Sequence, residues 1–201
     1  MEAINHKIAK EKVHISDWEE VKSFYTCKGG VCNKCLLKFK GRESLLLPIS
    51  GLMGKKDTFD AISFYKSITV WEKPVLFYHQ EKSLDQKLLI KFTGNENFQP
   101  AIETLLPYLD KKKLPANIIS PYSLSKSNRI KEHKLVLLTK QFFEPLGFIK
   151  LNLHSVADFH EFASEDKIGL LMLPLKDLLD YLQYAFNIEK EELLLPAIFQ
   201  P

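Results

Sequence analysis

The chain has 201 residues, 45% hydrophobic and 26% charged, with a formal net charge of +3. That balance marks an ordinary globular protein. So small a charge argues for no nucleic-acid partner, and no apolar run approaches the ~20 residues that span a bilayer, so direct membrane insertion is not expected.

The start, Met1 to Lys12, is polar and mixed in charge. It lacks the apolar stretch of a signal peptide. Val13 to Val21 reads as a short strand and a helical turn capped at Ser16, with Glu19 three residues on. Leu36 to Phe39 is a strand ending at Gly41, and Leu45 to Ile49 a second. Ser50 to Lys56, with Gly51 and Gly54, reads as a turn. Asp57 to Trp71 has apolar residues at near-helical spacing: Phe59, Ile62, Tyr65, Ile68 and Trp71.

Between the first strands stand all three cysteines, Cys27, Cys32 and Cys35, in the spacing C-x4-C-x2-C. That is the spacing of plant-type [2Fe-2S] loops. Gly30 lies between the first two thiols, where a loop wrapping a cluster needs a residue without a side chain. Clustered thiols with no disulfide partner elsewhere predict a reducing, cytoplasmic location. Cys32 and Cys35 also form a knuckle-like pair that suits zinc if a histidine completes the set. A third reading leaves the thiols free and metal-free. For a cluster, the fourth ligand would be His14, His79, Glu43 or solvent.

Two further segments carry a resemblance. Gly41 to Leu45 falls where the iron–sulfur subunits of succinate dehydrogenase and fumarate reductase have a Gly-x-Asn-Thr-Leu-like run; the position of their fourth cysteine is Leu47 here. Phe64-Tyr65-Lys66-Ser67-Ile68, followed by Trp71 and Lys73, is similar to a Tyr-Lys-Ser-Ile segment of the same subunits. Over about Phe24 to Lys73 the chain therefore resembles their N-terminal [2Fe-2S] domain. The resemblance implies electron transfer or redox sensing, with Cys27, Cys32 and Cys35 as cluster ligands and Gly30 shaping the loop. It also implies a redox protein or flavoprotein subunit as partner. The competing reading is a non-redox accessory or interaction protein, metal-free or zinc-bound.

No cysteine follows Cys35, so the second half holds no thiolate cluster. It reads as alternating strands and helices. Strands are expected at Lys87–Phe92, Asn117–Ile119, Lys134–Leu138, Phe148–Leu153 and Ile168–Leu173. Helices are expected at Phe98–Leu109, at Ser155–Phe162, and after Pro174 with Leu175, Leu178, Leu179, Leu182 and Phe186 on one face. Pro121 to Lys131 reads as a loop, and its lysines as a solvated stretch. His154 and His160 flank Asp158 at a separation that does not share one helix face, so they read as surface or core histidines. There is no G-x-G-x-x-G and no P-loop. The expected fold is α+β overall: a small ferredoxin-like, β-grasp-type domain over 1–81 and an α/β domain over 82–201.

Overall fold

A computed structural model describes residues 13–14, 44–53, 59–71, 73–79, 87–106, 113–188 and 190–200. Within them the chain builds one mixed sheet with helices on both faces. Its strands are β1 (Val13–His14), β2 (Leu45–Pro48), β3 (Val75–Tyr78), β4 (Leu88–Lys91), β5 (Leu114–Ser120), β6 (Phe143–Lys150), β7 (Leu170–Pro174) and β8 (Ala197–Gln200). The helices are α1 (Ile49–Met53), α2 (Ala61–Trp71), α3 (Gln99–Leu105), α4 (Lys126–Phe142), α5 (Val156–Glu165) and α6 (Leu178–Asn187).

The eight strands lie in the order β1-β2-β3-β8-β7-β4-β5-β6. β1, β2 and β3 are parallel to one another, and β8, β7, β4, β5 and β6 form a second parallel block. The blocks meet antiparallel, with Val75 opposite Phe199 and Phe77 opposite Ala197. The boundary expected between 81 and 82 therefore falls inside a continuous sheet. β2 and β3 are part of this sheet and not a separate β-grasp.

A strand shows alternate residues to opposite faces, and the core obeys this. Leu45, Leu47, Val75, Phe77, Leu89, Leu171, Ala197 and Phe199 bury on one face, against α2, α5 and α6. Leu46, Leu76, Leu88, Ile90, Leu170, Met172 and Ile198 bury on the other, with Ala101, Ile102 and Leu105 of α3 and Leu135 of α4. Parallel strands covered on both faces read as continuous apolar runs, as Leu45–Leu47 and Leu170–Leu173 do. Leu47 thus fills a core position, at 0% exposure.

Helix starts follow the expected cap chemistry. Ser155 and Asp158 form a reciprocal capping box at α5, and Ser125 accepts from Asn128 N at α4. Asp60 accepts from Ser63 N at 3.0 Å and begins α2. The cap residue of α3, Phe98, offers no side-chain acceptor; Asn97 Oδ1 accepts from Gln99 N at 3.3 Å, and Gln200 Oε1 at the end of β8 accepts from Ala101 N at 3.1 Å.

Three expected elements differ. Lys134–Leu138 lies within α4, because only Leu135 and Thr139 of that helix are buried and their spacing is one helical turn. The expected loop up to Lys131 gives way to the same helix from Lys126. The expected turn after Ile49 holds α1 over its described residues.

Because one core spans residues from Leu45 to Phe199, unfolding should be a single cooperative transition. Leu182→Ala should cost about 2–5 kcal/mol and Phe77→Ala about 3–5 kcal/mol. Both should move the same midpoint in a denaturant titration followed by fluorescence and circular dichroism. Two separated transitions, one shifted by each substitution, would contradict a shared core.

Candidate functional site

In the larger parallel block the spatial order is β6-β5-β4-β7-β8. The chain leaves β4 toward β5 on one side and later returns to β7 on the other. Such a switch point opens a crevice beyond the carboxyl ends of the two strands, the usual ligand position in open α/β sheets.

Lys91, the last residue of β4, and Asp177, just past β7, meet across this point. Lys91 Nζ lies 2.8 Å from Asp177 Oδ2, with side-chain exposures of only 8% and 13%. The contact is an ion pair and not a well-angled hydrogen bond, and that oxygen has no hydrogen-bond partner. The ammonium also sits 4.7 Å from the centre of the Phe159 ring. Beside the pair is a cleft of about 200 Å³, with Phe92, Ile119, Leu151 and Phe159 among its walls and Ser120 and His154 at its polar side.

The loop after β4 closes on itself. Glu96 Oε2 accepts from Thr93 N and Gly94 N, each at 2.9 Å, and from Asn95 N at 3.2 Å. Thr93 Oγ1 donates to the other carboxylate oxygen, and Lys176 Nζ lies 3.7 Å from it. Burial alone would raise the Glu96 pKa, but these hydrogen bonds outweigh it and hold the carboxyl below its ordinary value. Gly94 is needed here. Its φ is +127°, and a Cβ would stand 2.4 Å from Asn128 Nδ2. Backbone amides in such a turn are the groups that cradle phosphate. Here the protein's own carboxylate occupies them.

Ser120, fully buried, donates its hydroxyl to Glu132 of α4. Lys150 Nζ binds Glu132 Oε1 at 2.6 Å, and Ser120 Oγ and Pro121 O at 3.3 Å each. The cluster fixes the ends of β5 and β6 to α4, and Ser120 serves as a wall of the cleft.

Cys27, Gly30, Cys32, Cys35 and Glu43 lie outside the described residues. His79 is buried on the other side of the sheet's seam, its Nε2 2.7 Å from Leu194 O. His154 and His160 are separate: His154 N donates to Asp158 Oδ2 at 3.0 Å, while His160 packs on Tyr184 with ring centres 4.3 Å apart. Among the described residues no group of three or more His, Cys, Asp or Glu is placed to hold a metal ion. Lys91 and Asp177 went unnoticed in the sequence reading. A lysine closing the apolar run Leu88-Leu89-Ile90 was the available signal, since a charge carried into a core needs a partner.

No family model matches the chain. No curated protein matches it either. Among solved structures, a universal stress protein from Archaeoglobus fulgidus DSM 4304 is similar, with a TM-score of 0.51 and 8% identity. The match covers 83% of this chain and 63% of that one, so the chain spans less than two thirds of its length. At that identity the likeness shows fold alone. It corrects the resemblance to succinate dehydrogenase and fumarate reductase iron–sulfur subunits, and with it the electron-transfer reading. The motif-like segments have another explanation: Leu45–Leu47 is a buried strand, and Phe64 and Ile68 are the core-facing residues of α2.

Two outcomes follow from this geometry. Asp177→Asn should cost about 3–5 kcal/mol, because it strands the Lys91 ammonium in a dry site, whereas Lys91→Met with Asp177→Leu should be nearly neutral. Denaturant midpoints measure both, and a cost below about 1 kcal/mol for Asp177→Asn would mean the pair is solvated. Burial pushes the His160 pKa down to about 4 from 6.5. Between those values the unfolded chain binds the extra proton, so stability present above pH 6.5 is lost as pH falls toward 4, by up to about 3 kcal/mol. His160→Phe should flatten the stability profile across that window. An unchanged slope would show that His160 takes up its proton without opposing the fold.

Proposed function

We propose that the chain is a non-redox accessory protein that binds a small, mostly apolar organic anion in the cleft at the carboxyl ends of β4 and β5, where Lys91 lines the wall. The observation that carries this reading is that Lys91, buried and ion-paired with Asp177, also lines an apolar cleft beside the ends of β4 and β5. An ammonium has three donors, so Lys91 can keep Asp177 and accept a ligand's carboxylate as a further partner on the cleft side. The apolar walls at Phe92, Ile119 and Phe159 then cover the ligand's body. The cleft, at about 200 Å³, is below the ~300–1,000 Å³ of drug-sized sites, which favours a compact ligand. Glu96 already fills the amide nest, so a phosphate there would have to displace it. Cytoplasmic residence belongs to the same proposal, supported by the clustered thiols; no helix among the described residues is long and apolar enough to cross a membrane.

The test is a thermal-shift series with benzoate, benzyl alcohol, benzylamine and inorganic phosphate. Benzoate should raise the midpoint, since a ligand that binds only the folded state stabilises it by mass action. The Lys91→Met, Asp177→Leu protein should stay folded and lose the response. No shift with benzoate, or an equal shift in the double variant, would sink the proposal.

A further inference from the structure

α4 carries five cations, Lys126, Arg129, Lys131, Lys134 and Lys140, and one carboxylate. That carboxylate, Glu132, points inward to Ser120 and Lys150. None of the five cations makes an ion pair with a described carboxylate. The charged residues that α4 turns away from the core are therefore all cations.

The outer face of α4 is also apolar along its centre. Ile130 and Leu137 are 54% and 51% exposed. They stand two helical turns apart, and so lie one above the other on the outer face. On the flank of α4, with Lys134 between it and the stripe, a groove of about 330 Å³ runs between the helix and the loop leading into α3. Phe98, Leu135 and Leu138 give it apolar walls and Lys131 and Lys134 cationic ones, while Glu96 and three amide side chains line the loop side. The apolar stripe and the apolar part of the groove lie beside cations without a described ion-pair partner, of which Lys131 donates to Asn95 Oδ1 at 3.3 Å; they are complementary to a segment with an apolar stripe edged by carboxylates.

We propose that the outer face of α4 and this groove dock an acidic amphipathic helix of a partner protein. Spacing supports a helix, since anchors at i and i+7 are the pattern by which one helix reads another. Charge supports the acidic character, and rim charges of this kind steer association and set partner choice. A nucleic-acid backbone has no apolar side chain to seat on Ile130 and Leu137 or in the groove. An anionic bilayer rewards buried apolar area, and two apolar residues among five cations offer little of it.

Fluorescence anisotropy on the full chain tests this. The probe is a labelled peptide of about 18 residues, five helical turns, made of Glu with Leu at i, i+3, i+4 and i+7. It should bind at least about tenfold tighter than its sequence-scrambled isomer, a step of one decade in Kd. Ile130→Asp with Leu137→Asp should weaken it about tenfold or more, as should Lys131→Glu with Lys134→Glu. The charge-reversed protein should regain binding to the same peptide with Lys in place of Glu. Leu137→Gln, a milder surface change, gives the same direction of loss should the double aspartate variant fail to fold. Equal binding of the scrambled peptide would overturn the proposal. So would absent binding, or tighter capture of a single-stranded oligonucleotide or of phosphatidylserine vesicles.

Discussion

β8 is the constraint on which the rest of the structure depends. Its four residues sit near the middle of the eight-stranded sheet and hydrogen-bond antiparallel to β3 and parallel to β7. No other described strand joins the two parallel blocks. Its side chains divide between the faces: Ala197 and Phe199 enter one core, and Ile198 the other. The Phe199 ring packs edge-on against Phe77 at 5.9 Å and Tyr181 at 5.1 Å, so the seam is held by side chains from β3, β8 and α6. Such tilted aromatic pairs add about 0.5–1.5 kcal/mol each beyond the area they bury. The strand's last residue, Gln200, also caps α3 and so reaches the layer that follows the crevice loop.

The crevice inherits its order from this frame. β4 and β7 are adjacent and parallel, with Ile90 beside Met172, so the residues at their ends emerge on the same edge. Lys91 and Asp177 are thereby brought together although distant in sequence. Around them the polar groups have been assigned to one another: Glu96 to the loop amides, Glu132 to Ser120 and Lys150, and Asp177 to Lys91. The last of these is a close ion pair at 2.8 Å, without the hydrogen-bond alignment of the other two. Lys91 is thus the buried cation with donors left for a ligand.

Much of the second half was legible because burial on one side imposes a period. α5 announced itself through Ser155, and α6 through Leu178 and Leu182. β4 and β7 were visible as short apolar runs. β8 was not: four residues, all buried, carry no alternation that separates them from the leucines before them. Leu135–Leu138 misled in the opposite direction, since an apolar run fits a strand or a helix until it is known which side chains are covered. The first third misled through short motifs. Three cysteines and a handful of flanking residues matched a family pattern, while Leu47 and Phe64 were recording sheet and helix burial. The site was hidden because its charges come from two strand ends, and only the strand order places them side by side.

Native-state hydrogen exchange with rising denaturant tests most directly the claim that β8 makes the two strand blocks one structure. Amides buried in a single cooperative unit exchange only through the same global opening. The account predicts that the amides of Leu76 in β3, Ile198 in β8 and Leu171 in β7 converge on one free energy and one denaturant slope. A lower-energy opening that exposes β2 and β3 while β4, β5 and β7 stay protected would contradict it.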